Sequence, residues 1–278
     1  MPTPYRRLVP ALLVLGLMTG CSAVAAVPAP SPAPPADVVT DDLELPINAY
    51  RSTAWETGEL ILARALLIDD CLTRSGPRHG AAPDQAGSER QTRNRIADFG
   101  FHGNKRRYGV TSAEDARQYG YHLPTSVNGA EAAQPEKAPP GQAACAAEAG
   151  KTLALESGDA ELARGIASAS FSESLGDPRL GKVVAAWSGC MKAKGVEQKD
   201  PLTAVSAFDL NGALTQREIA TATADVACKR QTGVVETWRE VETEYQNTRI
   251  AEHHDELRTI LDEHTQLMKR VAAVIAEH

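Results

Sequence analysis

Three short stretches bring together side chains that could do chemistry. Asn104-Lys105-Arg106-Arg107-Tyr108 sets consecutive cations against an aromatic, and Tyr119 and Tyr121 follow shortly after. Cations interleaved with aromatic rings suit an anionic polymer or a lipid headgroup. Lys105, Arg106, Arg107, Tyr108, Tyr119 and Tyr121 are therefore the candidate binding residues. A second stretch, Ala207 to Glu218, partly matches a calcium loop. Asp209, Asn211, Gly212, Leu214 and Glu218 occupy its third, fifth, sixth, eighth and twelfth positions. Its first position is Ala207, which supplies no side-chain oxygen, so a turn into the following helix is the better reading. The third group is His253, His254 and His264. Positions 257 and 258 are Leu and Arg, so neither neighbouring histidine has a second ligand one helical turn on. No metal site and no cofactor is expected. The chain has no HExxH, GxSxG, SxxK, GxGxxG or Walker sequence, and a non-enzymatic role is the expectation.

The cysteines divide into one and four. Cys21 closes an N-terminal segment in which Arg6 and Arg7 precede the apolar run from Leu8 to Met18. That run is shorter than the roughly 20 residues needed to span a bilayer and has the form of an export signal. Leu17-Met18-Thr19-Gly20-Cys21 resembles the lipobox of bacterial lipoproteins, with Met18 where Leu is more usual. The resemblance implies a diacylglyceryl thioether on Cys21, which becomes the mature N-terminus. Two acyl chains, at about 0.8 kcal/mol per buried methylene, make a durable anchor. Residues 21–43 then read as a Pro- and Ala-rich disordered tether, of which Ser22 to about Asp42 reaches up to roughly 60 Å in polyproline geometry at about 3.1 Å per residue. Cys71, Cys145, Cys190 and Cys228 remain. An even number in an exported chain implies two disulfides. Three connectivities are possible, and pairing 71 with 145 and 190 with 228 is favoured because each bond then staples neighbouring helices.

Loss of Arg6 and Arg7 with the leader moves the formal charge from −7 to −9. An acidic chain without a dominant basic tract argues against nucleic acid as a partner.

What must position these groups is helical throughout. Strand signals are nearly absent, and the fold class is all-α: a disulfide-stapled helical domain over 44–233, with flexible insertions near 75–93 and 124–141, then one long coiled-coil-like helix over 234–278. Leu60, Ile61, Ala65, Leu66 and Ile68 mark a helix from 54 to 72. Further helices are expected at 112–119, 143–155 and 159–174. Asp177-Pro178 opens another with an N-cap and a proline at the first turn, and Thr215 to Glu218 forms a capping box. After Gly233 no Pro or Gly interrupts the pattern. Val234, Trp238, Val241 and Tyr245 form one stripe, and Ile250, His254, Leu257, Leu261, His264, Met268, Val271 and Ile275 a second, slightly out of phase near Thr248. A partner helix, or a second copy of the chain, could pair with that seam, and its histidines could weaken the pairing at acidic pH.

Several stretches together resemble a family of uncharacterised secreted proteins and lipoproteins of high-GC Gram-positive bacteria, the streptomycetes and their relatives. They are Leu45-Pro46-Ile47-Asn48-Ala49-Tyr50, Arg107-Tyr108-Gly109-Val110, Tyr119-Gly120-Tyr121-His122-Leu123, Asp177-Pro178-Arg179, Trp187-Ser188-Gly189-Cys190-Met191 and Ala224-Asp225-Val226-Ala227-Cys228-Lys229. The resemblance implies no activity and no catalytic residue. It places the chain on the extracellular face of the cytoplasmic membrane. Three functions fit: an envelope binding or adaptor lipoprotein, a ligand-binding accessory lipoprotein of a transport system with its pocket among the aromatics of 99–121, and a cell-wall hydrolase or its regulator.

Overall fold

A computed structural model describes residues 34–38, 42–76, 82–127, 139–155 and 160–278. Cys21, the leader and most of the tether lie outside these residues, as do 77–81 and 128–138. Among the described residues there are helices and no strand.

A 3₁₀ segment, Pro46–Tyr50, precedes α1 (Ala54–Ser75), α2 (Gln85–Phe99), α3 (Ala113–Tyr119), the single turn α4 (Pro124–Val127) and α5 (Gln142–Leu153). Then follow α6 (Ala160–Ser174), α7 (Pro178–Ala193), a second 3₁₀ turn (Ala204–Ala207), α8 (Gln216–Thr232), α9 (Val234–Glu252) and α10 (His254–Glu277). The caps explain several starts. Asp177 accepts from Arg179 N at the head of α7, and Ser112 from Asp115 N at the head of α3. Thr53 and Glu56 form a reciprocal box on α1. At α8 Thr215 accepts from Glu218 N, but the Glu218 carboxylate turns away, so the expected box is only half built.

The disulfides pair Cys71 with Cys145, joining α1 to α5, and Cys190 with Cys228, joining α7 to α8. Their Cα atoms are 5.5 and 5.7 Å apart. Closing loops of 74 and 38 residues contributes about 4 kcal/mol each in the chain-entropy treatment.

The interior has two main parts. One gathers Tyr108, Val110, Leu180, Trp187, Met191, Val226 and Trp238 between α3, α7, α8 and α9. The other lies where α10 crosses α1, α5 and the 3₁₀ segment: Leu62, Leu66, Leu153, Met268, Val271 and Val274 on one side, Ile47, Ile166, Leu257 and Ile260 on the other.

Two expectations are corrected. The stretch 75–93 is not a flexible insertion through its length, because α2 begins at Gln85. This helix has almost no apolar stripe, and it docks by close approach instead. A Cβ on Gly58 of α1 would fall 2.1 Å from Thr92 Oγ1, and Ile96 and Asp98 are buried beside that contact. Asp98 accepts from Thr125 N at 3.0 Å and from the Thr125 hydroxyl, tying α4 to α2 and ordering the start of the second insertion.

The segment 234–278 is helical over nearly its whole length, as expected, but is divided into two helices. His253, at φ −115° and ψ 27°, ends α9, and α10 starts at the next residue. The phase slip between the two stripes is its cause, because a single straight helix could not bury both. The second stripe is folded into the body: its Leu257, Met268 and Val271 are buried, together with Ile260 and Val274 beside it, Leu261, His264 and Ile275 are half-buried, and His254 faces solvent. Partner pairing through this stripe would require α10 to leave the body.

Candidate functional site

The basic-aromatic segment between α2 and α3 was the sequence's strongest candidate, and its side chains turn inward. Arg107 pairs with the fully buried Glu242 of α9 through Nε and Nη2, and donates from Nη2 to the Ala167 carbonyl. Tyr108 donates to the same carboxylate at 2.8 Å and stacks on Trp238, with ring centroids 4.7 Å apart. Ser170 and Gln246 also donate to Glu242, and Gln246 accepts from Ile47 N. One carboxylate thus gathers four side chains from three parts of the chain. Burial, reinforced by that negative charge, pushes the Tyr108 hydroxyl well above its ordinary range.

Arg106 donates to the carbonyls of Tyr121 and His122 at 3.1 and 2.8 Å. Lys105 donates to the Ala97 carbonyl at the end of α2 and pairs with Asp115 at 2.9 Å. Tyr121 reaches a second buried carboxylate, Asp225, which also accepts from Trp187 Nε1 at 2.9 Å and from Lys229 at 3.0 Å. Lys229 also donates to the Val110 carbonyl at 2.9 Å. Burial pushes Asp225 up and Lys229 down, and their direct contact opposes both shifts. Tyr119 is half-buried at the end of α3. These six residues do not form an outward basic surface.

Two glycines allow the arrangement. Gly109 has φ +76°, and a Cβ there would come 2.9 Å from Lys229 Nζ. Gly120 has φ +59°, and a Cβ would come 2.6 Å from Glu218 Oε1. Glu218 accepts from Tyr121 N and lies 2.8 Å from His122 Nδ1. This removes it from the calcium-like loop, whose Asp209 instead accepts from Asn211 N in a tight turn. Among the described residues no group of three or more His, Cys, Asp or Glu could hold a metal. His253 and His254 pair with Glu256 and Asp255 on the outer face.

A cavity of about 530 Å³ does open beside this segment, a volume typical of small-molecule sites. Leu43, Ile96, Phe101, Tyr108 and Val235 supply apolar wall, and Lys105 and Asn104 line it. Its charges are internally matched: Arg93 with Asp37 at 2.8 Å, Lys105 with Asp115, and Asp42 with His102 at 2.9 Å. Asp42 also accepts from His102 N and Asn104 N, and its bond to the ring raises the His102 pKa above its ordinary value. Of the candidate residues, the structure brings Lys105 and Tyr108 to the cavity; Arg106, Arg107, Tyr119 and Tyr121 are not on its wall.

The buried acceptors Glu218, Asp225 and Glu242 were not singled out from sequence for these roles. A signal existed in α9, where Trp238, Glu242 and Gln246 recur at the spacing of one helical face. Comparison of the chain with protein-family models, curated proteins and solved structures finds no match. No helix among the described residues is long and apolar enough to cross a membrane.

Proposed function

We propose that the chain is a non-enzymatic binding protein of the cell envelope, held on the extracellular face of the cytoplasmic membrane by lipid on Cys21. Its body offers concave cavities to a small ligand, and not a free helix to a second chain. The observation that carries the address is the pairing of Cys71 with Cys145 and Cys190 with Cys228, since such bonds persist in an oxidising compartment. The lipobox-like segment, the Pro-rich tether and the resemblance to streptomycete-type exported proteins support the same address. The burial of the α10 stripe and the apolar-walled cavity beside Phe101 and Tyr108 support a small ligand over helix pairing. An accessory role beside a transport system is one form this takes.

Metabolic labelling with a fatty acid, followed by fractionation, tests the anchor. The wild-type chain takes up label and stays with membranes, and Cys21→Ala loses the label and enters the medium. An unmodified N-terminus downstream of residue 21 overturns it. For the cavity, Thr111→Trp should block ligand retained from the native envelope, as read by native mass spectrometry, while the fold persists.

A further inference from the structure

A second cleft, of about 720 Å³, shares no lining residue with the first. The 3₁₀ segment, α1, the end of α5, α6 and α10 all contribute to its wall, so it forms only when distant parts of the chain meet. Its polar lining is unlike that of the first cavity. Arg51, Arg164 and Arg270 converge there from three separate elements, with Tyr50 and His264 beside them. Among the described residues none of the three arginines has a carboxylate partner. Arg270 donates one bond, from Nε to the Leu153 carbonyl at 3.1 Å. Arg51 is half-buried, and that burial, with a lesser contribution from the like charges of Arg107 and Arg164, pulls its pKa below the ordinary value. The His264 Nε2 atom is buried and has no hydrogen-bond partner; the Glu56 carboxylate, already committed to the α1 cap, stands 3.7 Å away. Asp262 and Glu263, both exposed residues of α10, also line the wall.

In the empty protein the cost of this gathering falls on the half-buried Arg51, because like charges repel most where water is partly excluded, whereas Arg164 is exposed. Neutral side chains would make a more stable wall, so the cluster fits a site that an anion completes. A single carboxylate needs one guanidinium fork. Three guanidinium groups suit a group with more acceptor oxygens and more charge. The cleft is also larger than an inorganic ion requires.

We propose that this cleft binds a small organic molecule through a phosphate-type oxyanion held by Arg51, Arg164 and Arg270. This goes beyond the tethered-binder reading, because the site needs neither the lipid nor the first cavity.

Calorimetry on the full chain at low ionic strength, with phenyl phosphate, inorganic phosphate and benzoate as probes, tests it. Phenyl phosphate should saturate with a dissociation constant below about 1 mM. Benzoate should bind at least about tenfold more weakly, having one charge and fewer acceptors. Arg51→Gln and Arg164→Gln should each weaken phenyl phosphate by about tenfold or more. Neither should lower the melting temperature of the ligand-free protein, and Arg51→Gln should raise it. That pairing of lost binding with undiminished stability is not what a structural role predicts. Arg230→Gln, an exposed change on α8, serves as the control and should leave binding unchanged. The absence of saturable heat up to about 10 mM phenyl phosphate overturns the proposal, as does undiminished binding by Arg164→Gln. Tighter binding of benzoate overturns the phosphate class, and tighter binding of inorganic phosphate overturns the organic body. Each readout is independent of Cys21, so a failed lipid-labelling experiment leaves this test intact, and the reverse also holds.

Discussion

The two halves of the interior solve the problem of holding helices together in opposite ways. Around α7, α8 and α9, buried carboxylates organise the core: Glu242 collects Arg107, Tyr108, Ser170 and Gln246, and Asp225 collects Lys229, Trp187 and Tyr121. Around α10, the contacts with α1 and α5 are Leu, Met, Val and Ile. The first arrangement specifies geometry, because each buried polar group demands its partners. The second is more tolerant of substitution and relies on area removed from water. Charge is satisfied inside the first region, whereas among the described residues Arg51 and Arg164, at the edge of the second, have no carboxylate partner. An internally satisfied network has no bonds to spare for a ligand, whereas an unsatisfied one does.

The contrast can be broken most sharply at Glu242. Glu242→Ala strands Arg107 and Tyr108 and should cost about 4 kcal/mol, read by chemical denaturation with disulfides intact. If the polar core serves geometry more than stability, replacing Arg107 and Glu242 together by Met should recover most of that loss. In the apolar half, Leu257→Ala should cost about 3 kcal/mol through lost burial and the cavity left behind, with no comparable rescue by a second change. Lys105→Ala should cost about 0.5 kcal/mol, since its ion pair with Asp115 is partly solvated. A loss as large as that of Glu242→Ala would mean that the basic segment acts as one structural unit. The smallest effect concerns pH. The His102 pKa is raised in the folded state by Asp42. The stability from that pair is therefore complete below the unfolded value of 6.5 and is lost as pH rises through the higher folded value. Asp42→Asn should flatten this dependence in thermal melts at pH 6 to 9, and an unchanged slope would remove the pair from the account.

The helical class, the disulfide pairing and the starts of α3 and α7 were legible because each rests on a local rule. Ser112 and Asp177 are N-caps, and cysteines near helix ends staple neighbours. The missed features depend on partners far away in sequence. Gln85–Phe99 lacks an apolar stripe, and its helix is explained only by Gly58 and Thr92 meeting across two elements. Lys105, Arg106 and Arg107 look like a surface patch until Asp115, the carbonyls of Tyr121 and His122, and Glu242 are seen to receive them. Glu218 reads as a cap or calcium ligand, and His122 claims it. Positions 51, 164 and 270 carry no mutual signal in sequence, and only the crossing of α10 over α6 and the 3₁₀ segment places them together. The phase slip near Thr248 was visible; that it becomes a joint at His253 follows from the two cores on either side.

That joint has a consequence for how the protein is made. Ile47 N bonds to Gln246, 199 residues further along, and His278 meets Asp70 across 208. A chain delivered from its N-terminus, from a ribosome or through a translocation pore, therefore presents α1 and the 3₁₀ segment long before α10 exists to cover them. Their apolar faces must wait exposed, and the body closes only when its last helix packs against them. Such a chain needs protection from aggregation until its last helix is in place.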